Sequence, residues 1–273
     1  DSDIESVKSH SKKQKNRPRK QSQKDLLRIY FEDTKDNQNS LQYLSNRENA
    51  VIESKFTTPK NRHQELYVKL LHQKAKKIVI ATGPAGTGKT LFATEYGIKN
   101  FIHGNIERLV FTRPSVSVDE DLGYLPGGLE DKMAPWVRPI YDILHQFVSP
   151  SEIKQYMEDK TIEISPLGFM RGRTFKNAWI VADEMQNATV SQMKMLLTRL
   201  GENSKLVITG DLDQFDRVGD INGLEDFLNK FKGRRTPSIG SFEFDNDDIQ
   251  REEVVKEILE IYAGETIPNN YIE

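Results

Sequence analysis

The sequence predicts an α/β domain with a mostly parallel sheet and helices on both faces. Three observations predict it. Short apolar, β-branched runs recur through the middle of the chain, helical patterns separate them, and a glycine-rich turn joins the first such run to the helix after it. The runs at 78–82, 106–112, 161–166, 178–183 and 205–210 are almost continuously apolar, as strands buried on both faces must be. Helical periodicity places helices at 60–76, 89–103, 131–159, 189–200, 222–232 and a last one at 247–262. No internal repeat is visible. The ordered part is expected as one domain over 56–265, preceded by a basic, flexible, polar tail over 1–55 and followed by a C-terminal tail over 266–273.

Composition bounds the chemistry. The chain has 273 residues, with 39 Lys and Arg against 41 Asp and Glu, 36% hydrophobic residues and no cysteine. That excludes disulfides, a thiol nucleophile and thiolate metal centres within this sequence, and agrees with a reducing compartment. No apolar run approaches the roughly 18 residues of a membrane span, and the first residues lack the apolar core of a secretory signal. The expectation is a soluble cytoplasmic protein with no membrane partner. The small net charge of -2 hides an asymmetry. Residues 8–24 carry eight Lys or Arg and no acid, whereas 241–273 carry ten Asp or Glu against Arg251 and Lys256.

The strongest local signal is Gly83-Pro84-Ala85-Gly86-Thr87-Gly88-Lys89-Thr90, a Walker A pattern directly after an apolar strand and before a helix. Its glycines let the backbone curl so that N–H groups converge on phosphate oxygens at the positive end of the helix. Lys89 is expected on the β- and γ-phosphates, Thr90 on Mg²⁺, and Leu91 beside the nucleotide. The bland reading is an ordinary glycine-rich strand-to-helix turn. A second signal is Trp179 to Glu184, a strand ending in two carboxylates that resembles a Walker B segment. Asp183 suits an outer contact to Mg²⁺ and Glu184 the polarisation of a water, unless both merely cap the next helix. The third is Thr209-Gly210-Asp211 with Gln214, placed to sense a γ-phosphate or the attacking water, or else a plain Gly-Asp turn.

Together these residues resemble the PhoH-like ATPases, relatives of the motor domains of superfamily 1 helicases. The resemblance is carried by the phosphate loop, Ile180 to Asn187, Gln192 to Gly201 and Thr209-Gly210-Asp211 with Gln214. It extends to Thr112-Arg113-Pro114, Leu122 to Gly127, Pro166 to Thr174 and Gly223-Leu224, and so covers about 59–262. It implies a RecA-like P-loop NTPase core that hydrolyses ATP to ADP with Mg²⁺, a homo-oligomer, expected as a hexameric ring, and single-stranded RNA or DNA as substrate. Some relatives carry a ribonuclease domain ahead of the core; here a polar tail stands there, so no nuclease activity is expected. Two departures stand out: Ala182-Asp183-Glu184-Met185 replaces the usual Leu-Asp-Glu-Ala, and Asp248 to Arg251 lacks the following His-Pro.

Asn61 and Gln64 resemble the helicase motif whose amide reads the adenine edge, although both also fit a polar helix face. With one motor core per chain, a transition-state arginine must come from a neighbouring subunit. Arg171, Arg173, Arg199 and Arg251 are candidates, with Arg251 and Arg173 favoured. Arg113, Arg171, Arg173, Arg234, Arg235 and the basic tail are candidates for polynucleotide phosphates. Two rival readings remain. One is a small-molecule kinase, disfavoured because Glu184 and Gln214 suit water. The other is an ATP-dependent assembly platform or regulatory ATPase without unwinding.

Overall fold

The structure is a computed structural model that describes residues 48–114, 134–215 and 219–264. The basic run 8–24 and the Leu122 to Gly127 match lie outside the described residues, as do most of the expected tails. Chain contacts separate 1–53 from a compact unit that begins at Ser54.

That unit holds the elements α1 (Arg62–His72), β1 (Ile78–Thr82), α2 (Lys89–Ile102), β2 (Arg108–Arg113), α3 (Ala134–His145), α4 (Pro150–Glu158), β3 (Ile162–Pro166), β4 (Ala178–Ala182), α5 (Val190–Leu197), β5 (Lys205–Gly210), α6 (Gly223–Phe231), β6 (Ile239–Glu243) and α7 (Glu253–Ala263). The six strands form one sheet in the order β3-β2-β4-β5-β1-β6. Every pairing is parallel. This is the expected α/β, RecA-like architecture, with β5 between the phosphate-loop strand β1 and the carboxylate strand β4.

Alternation of side chains along the buried strands explains the two layers. Val79, Leu109, Phe111, Trp179, Val181 and Val207 join α1, α2 and α3 in one core. Their neighbours Ile80, Val110, Ile180, Leu206 and Ile208 join α5 and α6 in the other. Helix α2 approaches β4 closely: a Cβ at Gly97 would lie 2.6 Å from Cδ1 of Trp179. The buried indole also donates to the Ala93 carbonyl at 3.0 Å.

Three elements differ from expectation. The single helix expected over 131–159 is split into α3 and α4, because Ser149 starts a new helix: its hydroxyl and Glu152 form a capping box, with Pro150 in the first turn. Strand β6 was not foreseen, since Ile-Gly-Ser-Phe-Glu is a short, half-exposed edge segment without a continuous apolar run. The last helix begins at Glu253 rather than 247, after a 3-10 turn over Asn246–Asp248. No described helix is long and apolar enough to cross a membrane.

Candidate functional site

Parallel strands point their carboxyl ends the same way, so the loops after β1, β4 and β5 meet along one edge of the sheet. They enclose a cavity of about 420 Å³ lined by the phosphate loop, Leu91, Asp183, Glu184, Asp211 and Gln214, with Lys60, Gln64 and Gln250 on other walls. Two glycines make the loop possible. Gly83 has φ 133°, and a Cβ there would sit 2.5 Å from the Phe244 carbonyl oxygen; Gly88 has φ 90°, and its Cβ would strike the Phe92 ring at 2.8 Å. Among the described residues no protein acceptor takes the N–H groups of Gly86 to Thr90, which leaves them for an anion.

Lys89 is buried at the base of this loop and donates to the carbonyls of Gly83 (2.7 Å) and Pro84 (2.6 Å). Burial lowers its pKa, and Asp211, Asp183 and Glu184 oppose that shift. Across the cavity, the Asp183 carboxylate is held by three contacts, one from each of three elements. Its Oδ1 accepts from Thr90 (3.0 Å) and Thr209 (2.6 Å), and its Oδ2 pairs with Arg113 at 2.8 Å. The hydroxyl of Thr90 beside a carboxylate oxygen is a hard-oxygen donor set suited to Mg²⁺.

Glu184 adopts a left-handed backbone with φ 53°, an uncommon conformation for a side-chain-bearing residue. Its carboxylate is held by Nε2 of Gln186. Gln186 is fully buried, and its Oε1 accepts from the Asp211 N–H at 3.1 Å. One amide therefore connects the carboxylate to the turn that carries Gln214. Sequence reasoning did not single out Gln186 for this role, although the alternation of Gln with buried Met185 at a strand exit was a signal. Gln214 itself is exposed on the cavity wall.

The expected base-reading pair is used otherwise. Asn61 caps α1, its Oδ1 accepting from the Gln64 N–H at 2.8 Å, and it does not line the cavity. An Asn directly before a helix satisfies a free N–H group of the first turn, and Asn61 does so through Oδ1. Gln64 does line the cavity, but both amide ends are engaged, accepting from Lys60 N–H (2.7 Å) and donating to the Thr87 carbonyl (3.0 Å). It ties α1 to the phosphate loop. On the same side Glu95, 1% exposed, accepts from both the N–H and the hydroxyl of Thr57.

The chain after β6 closes over the loop. Gln250 donates its N–H to the Gly86 carbonyl at 2.8 Å, a contact with no sequence signal. The segment is tied down by His63, whose Nδ1 lies 2.7 Å from Oδ2 of Asp248. The hydrogen bond to Asp248 raises the His63 pKa. Burial pushes Asp248 up, but the Asp245 N–H and His63 outweigh it and hold the carboxyl below its ordinary value. His63, Asp245 and Asp248 also bring ligand atoms within 4.8 Å of one another, a clustering that the His63–Asp248 pair itself explains.

The arginines divide. Arg173 makes a two-pronged pair with Glu163, both distances 2.8 Å, and stacks 4.5 Å from the Phe175 ring centroid. It is committed to the β3 edge rather than presented to a neighbour. Arg199 donates to the carbonyls of Met195 and Arg173. Arg113 pairs with Asp183 at 2.8 Å. Arg171, Arg234, Arg235 and Arg251 are exposed.

A family model described as PhoH-like protein matches residues 57–263. A PhoH-like protein of Bacillus subtilis (strain 168) is 42% identical over 190 residues, covering 69% of this chain and 59% of that protein. Protein PhoH of Escherichia coli (strain K12) is 38% identical over 217 residues, covering 77% and 60%. The chain thus spans about three fifths of the length of these relatives. A Sulfolobus solfataricus SWI2/SNF2 ATPase core in complex with dsDNA is 16% identical over 71% of this chain and 47% of that one, at TM-score 0.39, and carries no functional weight here. The family match spans the phosphate loop, both carboxylates and the Gln214 turn, and the chain belongs to the PhoH family.

Proposed function

We propose that the chain is a Mg²⁺-dependent ATPase whose hydrolysis drives action on RNA or single-stranded DNA, as a helicase or translocase working as a homo-oligomeric, expected hexameric, ring in the cytoplasm. The observation that carries the hydrolytic part is Glu184, a carboxylate held by Gln186 across the cavity from Lys89. The loop N–H groups and Lys89 bind the β- and γ-phosphates. Glu184 accepts a proton as a water oxygen bonds to the γ-phosphorus, while the bond from that phosphorus to the ADP oxygen breaks and its electron pair leaves with ADP. Lys89 and the loop dipoles stabilise the charge spread over the transferring group. Thr90 and Asp183 would hold Mg²⁺, which supplies further neutralisation of phosphate charge. Gln214, on the turn joined to Glu184 through Gln186, reports whether the γ-phosphate is present.

Arg251 supports assembly. It is exposed, follows the Gln250 contact to the loop, and among the described residues makes no ion pair, so a neighbour's cavity is a suitable destination. Helix α7 also leaves Val254, Ile258, Ile261 and Tyr262 exposed. Support for a polynucleotide substrate comes from family membership and from the basic run over 8–24. The exposed α7 face favours a second reading, an ATP-dependent assembly platform without unwinding. Steady-state ATP hydrolysis with and without single-stranded RNA and DNA separates the two. Stimulation abolished in Lys89→Ala and Glu184→Gln supports the motor; turnover indifferent to both polymers supports the platform.

A further inference from the structure

The opposite edge of the sheet carries a second concavity, of about 380 Å³, between α1, α2 and the amino ends of β1, β4 and β5. Among the described residues its charged lining is entirely cationic. Lys74, Lys76 and Lys77 come from the turn after α1, Lys99 from α2 and Lys205 from the first position of β5. His72 and His103 add imidazoles, and among the described residues no carboxylate lines the cavity. We propose that this is a binding site for a compact polyphosphate group, either an inorganic polyphosphate or the phosphate chain of a small phosphorylated metabolite. The proposal goes beyond the ATPase reading and does not depend on it.

The electrostatics carry it. Helix α1 ends here, and its terminal carbonyls form the negative end of the helix dipole. Lys205 answers that dipole: its ammonium donates to the carbonyls of Leu70 (3.2 Å), Leu71 (2.6 Å) and Gln73 (3.1 Å). The helix end therefore accounts for one cation. Lys76 reaches the Thr236 and Ile239 carbonyls only at 3.5 and 3.4 Å. Lys74 and Lys77 have no partner among the described residues. Like charges gathered around a concave site concentrate a positive potential, and an anion relieves their repulsion. Burial, with Lys77 adding repulsion, brings Lys205 down to about 8. The cavity is of small-ligand size, and the Trp179 ring forms part of its wall with Lys205 at 5.5 Å from the centroid. A five-residue strand separates it from the phosphate loop by roughly 16 Å, at about 3.3 Å per residue, so both sites can be filled together.

The test uses the full chain with its phosphate loop saturated by a non-hydrolysable Mg·ATP analogue, titrated calorimetrically with inorganic tripolyphosphate. One additional site is expected. It weakens at least 10-fold in Lys74→Glu/Lys77→Glu, survives in Lys74→Arg/Lys77→Arg, and weakens between pH 7 and pH 9, across which Lys205 loses its proton. Basal ATP turnover is unchanged in both variants, because neither residue touches the nucleotide cavity. A second arm with adenosine triphosphate distinguishes the source: equal affinity points to the free polyphosphate, tighter binding to a nucleotide-like metabolite. The proposal is overturned if no site beyond the phosphate loop is found, or if the Glu variant binds as tightly as the parent. It is equally overturned if tripolyphosphate does not bind while a single-stranded RNA 20-mer does and loses affinity in the Glu variant. Loss of analogue binding at the phosphate loop would instead count against the ATPase reading.

Discussion

The two ends of one sheet are chemically opposite. At the carboxyl edge, Lys89 sits among Asp183, Glu184 and Asp211, and the backbone offers N–H groups at the start of α2. At the amino edge, five lysines and two histidines line the second cavity, and the backbone offers carbonyls at the end of α1. Chain direction explains the contrast. Parallel crossovers place helix N-termini at one edge and helix C-termini at the other, so one edge favours anions and the other cations. The surplus of cations beyond what the α1 terminus takes is what distinguishes the amino edge from simple dipole compensation.

The largest expected effects break the carboxyl edge. Glu184→Gln lowers turnover by about 10² to 10⁴-fold, the usual range for a lost general base, while a fluorescent ATP analogue still binds. Lys89→Ala loses both turnover and analogue binding, by at least about 10²-fold in kcat/KM, because it removes charge stabilisation of the transition state. Next comes the packing that holds the two edges apart. Trp179→Ala empties a 3%-exposed site between α2 and β4, with an expected loss of about 3–5 kcal/mol, read as a fall in the midpoint of urea unfolding.

A smaller effect sharpens the carboxyl edge. Gln186→Leu removes the amide between Glu184 and Asp211, and turnover is expected to fall about 10-fold with KM little changed. A KM rise with kcat intact would show that Gln186 serves binding instead. The His63–Asp248 clasp gives a pH test. His63 titrates above its ordinary 6.5, so its contribution is complete below that value and is lost as pH rises through the raised one. Asp248 titrates below its ordinary 3.8, so its contribution is complete above 3.8 and is lost as pH falls through the lowered value. Hydrogen exchange at the Gln250 amide, corrected for intrinsic rate, is therefore expected to be slowest between pH 4 and 6.5 and faster by pH 8. His63→Asn flattens that profile above pH 6. The smallest effect concerns the amino edge: Lys74→Glu/Lys77→Glu raises Tm slightly at low salt by relieving repulsion, and the gain disappears at high salt.

Much of this was legible in the residues. The runs at 78–82 and 205–210 coincide with β1 and β5, because strands buried on both faces leave an unbroken apolar signature. The phosphate loop was equally plain, since its glycines answer a local backbone demand. Strand β6 was not legible: an edge strand with one open side needs no apolar run, and its pairing with β1 is a long-range fact. The long helix over 131–159 hid a capping box at Ser149 within a continuous amphipathic pattern. Among site residues, Asn61 shows the limit of motif reading, because a cap and a base-reading amide use the same residue type in the same place.

The sequence by itself determined the order of the first five strands, the parallel class of the sheet, and that Lys89, Thr90, Asp183 and Glu184 share one cavity. Those features follow from local periodicity and from the rule that loops after parallel strands share an edge. Only the tertiary structure decided that Gln64 serves the loop, that Arg113 and Arg173 are committed to carboxylates, that Gln250 closes over Gly86, and that five lysines converge at the opposite edge. These depend on distances between residues far apart in the chain, as with Lys205 and Leu71, separated by 134 positions and joined at 2.6 Å. Sequence pattern encodes which face a side chain takes, whereas its partner is set by how the helices pack upon the sheet.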